Sequence, residues 1–419
     1  MRNLLILDWD PHYRAYVLDA ARSLGAEVHL VMRATPDPVP DGVTEVHVLP
    51  DLYEDPLTHV PRLAEYARAH AVNGVFTHED ELMELGAALA EELGLPGPTL
   101  AAVRLCMDKS ATRDRLKTAG VPGPGFRHAT SLAEARAALA ELELPVVLKP
   151  VAASGGQGVS RLTEPEALPE AWEWAASPYR YLPREYHRVL LEEYLDGPLV
   201  SVESVVVDDE VHVVTATDGL QTIVPAGAGQ ARFVYDGLLV PARTTDETER
   251  ELRHWAREAV RALGIRSGVV HTEFKVTAQG VRVVEVNPRL PGVLIPELVH
   301  RALGVDLARA ALQCALGERP DLVADRRGGA CVRLVLAAET GEVRAVDGVR
   351  EATAAPHVVR ATVLTEPGAR VAPPEQGDIE SRLGYVLTEH GTGPHQALRA
   401  AEEALARISV RVAAPSPAA

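Results

Sequence analysis

Lysine is nearly absent from this chain. It supplies only four of the 42 basic residues, Lys109, Lys117, Lys149 and Lys275, and arginine supplies the rest. Cysteine is equally sparse: Cys106, Cys314 and Cys331 stand alone, with neither metal-ligand spacing nor a disulfide framework. That excludes a disulfide-stapled class and points to a reducing compartment. Long hydrophobic runs are missing too, and none approaches the roughly 20 apolar residues of a membrane span. The N-terminus turns acidic at Asp8 and Asp10 after a short apolar run, so it reads as a first buried strand rather than a signal peptide, and a cytoplasmic location is expected. Positive charge is outweighed to a formal net of −17. A surface of that sign argues against nucleic acid or an anionic membrane as the partner.

Several motifs are absent as well. The first strand runs into Asp8-Trp9-Asp10-Pro11 with no Gly-x-Gly-x-x-Gly, which removes a dinucleotide site. His271 lacks the His-Glu-x-x-His spacing of a zinc helix. No Gly-x-Ser-x-Gly element or paired Cys and His offers a covalent nucleophile.

What is present is a soluble, packed composition, 47% hydrophobic and 24% charged over 419 residues, long enough for two or three domains. Residues 3–7, 27–32, 43–49 and 74–77 read as strands, alternating with helices at 13–24, 57–70 and 79–93. This alternation predicts an open, mostly parallel α/β sheet over residues 1–97. A turn-rich stretch at 93–99 marks a boundary, and a helix carrying Asp108 and Lys109 is expected to run unbroken to Ala119. An α+β lid is expected over about 128–198, inside a domain spanning 98–325, with a hairpin across Asp208-Asp209 and a helix at 247–263. A strand-rich unit at 326–411 and a disordered tail at 412–419 complete the reading.

Within this frame the surviving lysines carry information, because a compact ammonium contacts several phosphate oxygens in a way the planar guanidinium does not. Lys149 closes a strand and is followed by Ser154-Gly155-Gly156-Gln157-Gly158. Such glycines let backbone N–H groups turn around an anion; the plain alternative is a tight hairpin. Glu192-Glu193-Tyr194-Leu195 ends another strand, whose backbone edge would suit adenine; the plain alternative is a solvated acidic turn. Residues 271–289 read as two β-branched strands that aim Glu273, Glu285, Asn287 and Arg289 at one point. Two carboxylates and an amide oxygen suit Mg²⁺, and a guanidinium beside them suits an oxyanion.

Taken in order, Lys109, Lys149 with its glycine loop, residues 192–195, Glu273 and Glu285-x-Asn287-x-Arg289 resemble the ATP-grasp superfamily over about residues 1–411. The resemblance implies an ATP-grasp fold between a Rossmann-like N-terminal (pre-ATP-grasp) domain and a small strand-rich C-terminal domain. It implies ATP as cofactor, with Lys109, Lys149, Ser154, Gly155, Gly156 and Gly158 on its phosphates and the hinge residues Glu192, Glu193, Tyr194 and Leu195 at its base. Gln230 matches a nucleotide-contacting Gln of some members. The ribose-holding Glu of many members is replaced by Leu199, and Glu203, on the same strand face, is expected to substitute. Glu273, Glu285 and Asn287 would hold Mg²⁺, or Mn²⁺ in its place. Arg289 and Lys149 would be the catalytic cations, and Arg289, Pro291, Gly292 and Val293 would face substrate.

The phrases His271-Thr272-Glu273-x-Lys275-Val276 and Glu285-Val286-Asn287-Pro288-Arg289-Leu290-Pro291-Gly292 look most like the L-amino-acid ligase branch. That branch implies ATP-dependent joining of two amino acids through an acyl phosphate, small-molecule amino-acid substrates and a homodimer. After Asn287-Pro288-Arg289 the Gln and Glu of the biotin-carboxylase branch are missing, which argues against carboxylation. The alternatives are a carboxylate-amine or formate ligase of nucleotide metabolism and, with least support, an ATP-responsive regulatory protein.

Overall fold

The computed structural model describes residues 2–153, 155–178, 184–374 and 381–413. Ser154 and tail residues 414–419 lie outside the described residues, as do 179–183 within the expected lid.

The N-terminal sheet has the order Val43–Val48, Glu27–Met32, Asn3–Leu7, Gly74–Thr77, and every pairing is parallel. Asn3–Leu7 is buried along its whole length, as its unbroken apolar run requires of a strand covered on both faces. Helices Ala15–Ser23, Val60–Ala69 and Met83–Leu93 pack against it, and the last ends at Gly94, whose φ of 64° suits the left-handed cap.

The expected single helix through Asp108 is two helices, Leu100–Met107 and Lys109–Thr118. Asp108 is extended between them, and its carboxylate accepts from the N–H groups of Ser110 and Ala111. An Asp that caps a new helix competes with one that continues the old, and here the cap wins.

Twelve strands form a second sheet whose main path runs Gly280–Asn287, Gly268–Thr277, Leu199–Val207, Glu210–Pro225, Gln230–Val240, Ser160–Leu162, Val146–Pro150, Val189–Glu193, Phe126–Ala129. Gly329–Leu336 joins at Gln230–Val240 and leads on to Arg382–His390 and Val358–Val363. Helix Asp246–Ala262 covers the first strands through Leu252, Ala256, Phe274 and Val286. Helices Leu132–Leu139 and Leu168–Ala176 cover the lid strands through Ala135, Ala171, Leu148, Leu162 and Leu191.

A three-stranded sheet, Arg370–Val371, Gly341–Asp347, Ser409–Ala413, lies near the C-terminus. Its last strand pairs Val412 with Val343 and Ala413 with Glu342, so residues 412 and 413 belong to the fold rather than to a disordered tail. The three cysteines are free and buried, and burial pushes the Cys106 and Cys331 thiols up to about 12 and Cys314 to about 11. Thiols so far from ionising are packing groups. Among the described residues no helix is long and apolar enough to cross a membrane.

Candidate active site

Side chains alternate along Val146–Pro150, so Val146 and Leu148 enter the core under the two lid helices while Lys149 points to the other face. There its Nζ lies 2.6 Å from one oxygen of Glu192, whose other oxygen is 2.5 Å from Nε of Arg113. None of the three side chains is more than 6% exposed. Burial pushes Lys149 down, and burial would raise Glu192, yet Arg113 and Lys149 together hold that carboxyl below its usual range. One carboxylate between two cations stays ionised. Glu192 was expected at the nucleotide's base; its side chain instead clamps Lys149, because the pairing Val147↔Glu192 turns it onto the lysine's face.

Lys109 opens its helix, and its backbone N–H reaches the Val151 carbonyl at 2.9 Å. Its Nζ donates to the Ala153 carbonyl at 2.8 Å and sits 3.2 Å from Glu285. The lysine thus ties the glycine loop to the carboxylate hairpin. Within that loop Gly158 has φ of 72°, and a Cβ there would meet Pro150 at 3.0 Å and Ala175 at 3.2 Å. Only glycine fits.

At the hinge the Glu193 N–H bonds to the Gly125 carbonyl and the Tyr194 N–H to that of Pro145. The Tyr194 ring carries the Arg161 guanidinium at 4.3 Å and stacks on Phe233, and Leu195 follows half-buried.

The hairpin's register sets Glu273 opposite Glu285 and His271 opposite Asn287. His271 Nδ1 is 2.9 Å from Glu203 and Nε2 is 3.3 Å from Glu273. Ser201 donates to Glu203 at 2.7 Å, and the Tyr235 hydroxyl donates to Glu273 at 3.4 Å. Burial alone would lower His271, but the two carboxylates hold it up at about 10, and it in turn holds the half-buried Glu273 below the usual carboxylate range. Burial and Glu273 push the Tyr235 phenol well above its ordinary value. Two carboxylates and the Asn287 amide oxygen on adjacent strands are hard ligands of the kind Mg²⁺ accepts while keeping waters and phosphates. Asn287, two residues beyond Glu285 on the same strand face, could supply a third oxygen.

Two expectations are corrected here. Glu203 has no exposed surface and is consumed by Ser201 and His271, so it orients an imidazole rather than holding a ribose. Gln230 pairs with Leu162, which puts it on the helix-covered face, opposite Lys149 and away from the expected nucleotide phosphates.

Arg289 is held bidentate by Asp80 at 2.5 and 2.7 Å and donates to the Leu290 carbonyl at 3.0 Å. Burial opposes its charge, and Asp80 more than restores it, raising the guanidinium's pKa. The loop beyond keeps Pro291 buried and Gly292 half-buried, then places Val293 at φ 47° and Leu294 at φ 66°. A β-branched residue in the left-handed region is an outlier of the kind that collects at ligand sites.

Asp80, Arg113 and Tyr235 were not foreseen. A signal existed for Asp80: it follows the C-terminal end of the parallel strand Gly74–Thr77, where open α/β sheets place ligands. Arg113 and Tyr235 act across long sequence separations and left none.

The chain belongs to the ATP-grasp superfamily: residues 106–293 match the description "ATP-grasp domain" and residues 18–97 "ATP-grasp N-terminal domain". Residues 333–413 match "L-amino acid ligase C-terminal domain 2", which sets the chain beside that branch. It is similar to uncharacterized protein y4rH of Sinorhizobium fredii, 32% identical over 78% of this chain and 66% of that one. It is 29% identical to carnosine synthase 1 of Homo sapiens over 77% of this chain but only 40% of that protein. The fold matches the crystal structure of an L-amino acid ligase from Bacillus licheniformis with a TM-score of 0.86, 24% identity and 99% coverage of both chains.

Proposed function

We propose that this protein is an ATP-dependent carboxylate-amine ligase that joins two amino acids. The observation that carries this reading is Lys109, whose ammonium spans from the glycine loop's Ala153 carbonyl to Glu285 and so joins the phosphate side of the site to the metal side. Lys109 and Lys149 would neutralise ATP phosphate oxygens beneath the glycine loop, with adenine on the backbone of Glu193 and Leu195. Glu273, Glu285 and Asn287 would hold Mg²⁺, which when bound neutralises charge on the transferring phosphoryl group.

A substrate carboxylate oxygen then attacks the γ-phosphorus, the bond to ADP breaks, and an acyl phosphate forms. The neutral amine of the second amino acid attacks the acyl carbon, the C–O bond to phosphate breaks, and the proton lost by the nitrogen ends on the departing phosphate. Arg289, fixed by Asp80, would keep its remaining N–H groups for the developing oxyanion, and preorganised charge of this kind supplies most of such a rate.

The test is phosphate release from ATP and Mg²⁺ against the twenty amino acids singly and in pairs, with products weighed. A product one water lighter than a required pair supports the reading; release that needs no amine acceptor overturns it.

A further inference from the structure

Two arginines are buried among the described residues, and only one has a counter-charge. Arg113 has Glu192, whereas Arg232, 6% exposed, forms no ion pair. Glu170, exposed on helix Leu168–Ala176, acts on Arg232 only from beyond ion-pair distance. Arg232 donates to the Gln230 side-chain carbonyl at 2.9 Å and lies 4.7 Å from the Trp174 ring centre. Its Nε has no acceptor, and neither do Nε2 of Gln230 and Nε1 of Trp174. A buried guanidinium without a partner is costly, and unmatched donors beside it add to the cost.

The topology shows why the place is open. Gln230–Val240 pairs with the lid strand through residues 230 and 231 and with Gly329–Leu336 through residues 237–240. Between them residues 232–236 face neither neighbour, and a cavity of about 50 Å³ lies there. Its walls include Gly155, Gly156, Arg232, Tyr235, Ser381 and Arg382. Arg382 likewise has no ion pair among the described residues.

We propose that this slot, at the seam of the lid and the C-terminal strands, binds a small oxyanion, the carboxylate or phosphate group of a ligand. Its guanidinium side lies away from Lys149, since Gln230 and Arg232 share the strand face opposite that lysine, while Gly155 and Gly156 wall the slot from the glycine loop. Guanidinium and amide N–H groups donate only, so what completes them must accept, and two guanidinium groups select negative charge.

The test is thermal melting of the full-length protein without nucleotide, titrated with inorganic phosphate and, separately, acetate against chloride at matched ionic strength. A saturable rise in melting temperature is expected, with acetate active only if a carboxylate suffices. Arg232→Met should abolish that rise while melting, without anion, at the wild-type temperature or above, since a lone buried charge is removed. Lys149→Met should keep the rise. Should Arg232→Met fail to fold, Arg382→Gln, at a half-buried position, should weaken phosphate about tenfold. The proposal is overturned by a wild type indifferent to both anions, by a response lost in Lys149→Met alone, or by one that survives both arginine changes.

Discussion

The proposed phosphate side and the proposed metal side of the site are mirror images in charge. At Lys149 one carboxylate, Glu192, lies between two cations; at His271 one cation lies between two carboxylates, Glu203 and Glu273. Each trio is buried save for the partly exposed Glu273, and each keeps one charge in excess: positive under the glycine loop, negative on the hairpin. The difference shows how a hidden ionic cluster can be both internally paired and poised, because the uncompensated charge has the sign opposite to the ligand proposed for it.

The sharpest break removes a ligand on the negative side. Glu285→Ala should cut ADP formation by at least about a hundredfold with unchanged melting; full activity in that variant would sink the metal assignment. Next comes the positive trio. Glu192→Gln leaves Arg113 and Lys149 buried without a counter-charge and should lower stability by about 3–5 kcal/mol in urea unfolding. An unmoved midpoint would mean that the three do not act as a clamp.

A milder change tests whether the cation in the negative trio orients its neighbour. His271→Gln keeps a donor but loses the charge, and the Mg²⁺ concentration for half-maximal rate should rise roughly 10–100-fold with the fold intact. An unaltered Mg²⁺ requirement would leave Glu203 and His271 as packing alone.

The smallest effect contrasts His271 with His29 and His47, where burial and a neighbouring cation or imidazole outweigh the nearby Glu45. Burial, then His70, pushes His29 down, and burial, then Arg62, pushes His47 down. Both should be neutral when folded and take up protons on unfolding. Their contribution is therefore present above about pH 6.5 and is lost as pH falls through that value toward the lowered folded ones. Melting across that window should show the wild type losing more stability on acidification than His29→Gln; equal slopes would count against the assignment.

Much of the fold was legible because its signals are local. The alternation of residues 3–93 gave the parallel sheet, and the hairpin of residues 271–289 put Glu273 and Glu285 across from each other as their spacing implied. What escaped is non-local. Gln230–Val240 was not read as a strand, although it forms a hairpin with the preceding Glu210–Pro225; the pairing that decides the face of Gln230 is with a strand about 70 residues earlier, and Gln230 was assigned to the wrong face in consequence. Lysine's rarity made Lys109 and Lys149 visible, while Arg113 and Arg232 were hidden among dozens of surface arginines. A period-two reading cannot tell a free carboxylate such as Glu203 from one already spoken for by a cross-strand imidazole.

The pairing of Leu238, Leu239 and Val240 with Val332, Cys331 and Ala330 has a practical side. A chimaera between relatives spliced near residue 325, where the sequence changes character, would cut through a ladder rather than between modules. The bared strand would present its main-chain donors and acceptors to any passing β-edge, and such hybrids should clump. Recombination that carries Gly329–Leu336 along with Gln230–Val240 keeps the ladder whole.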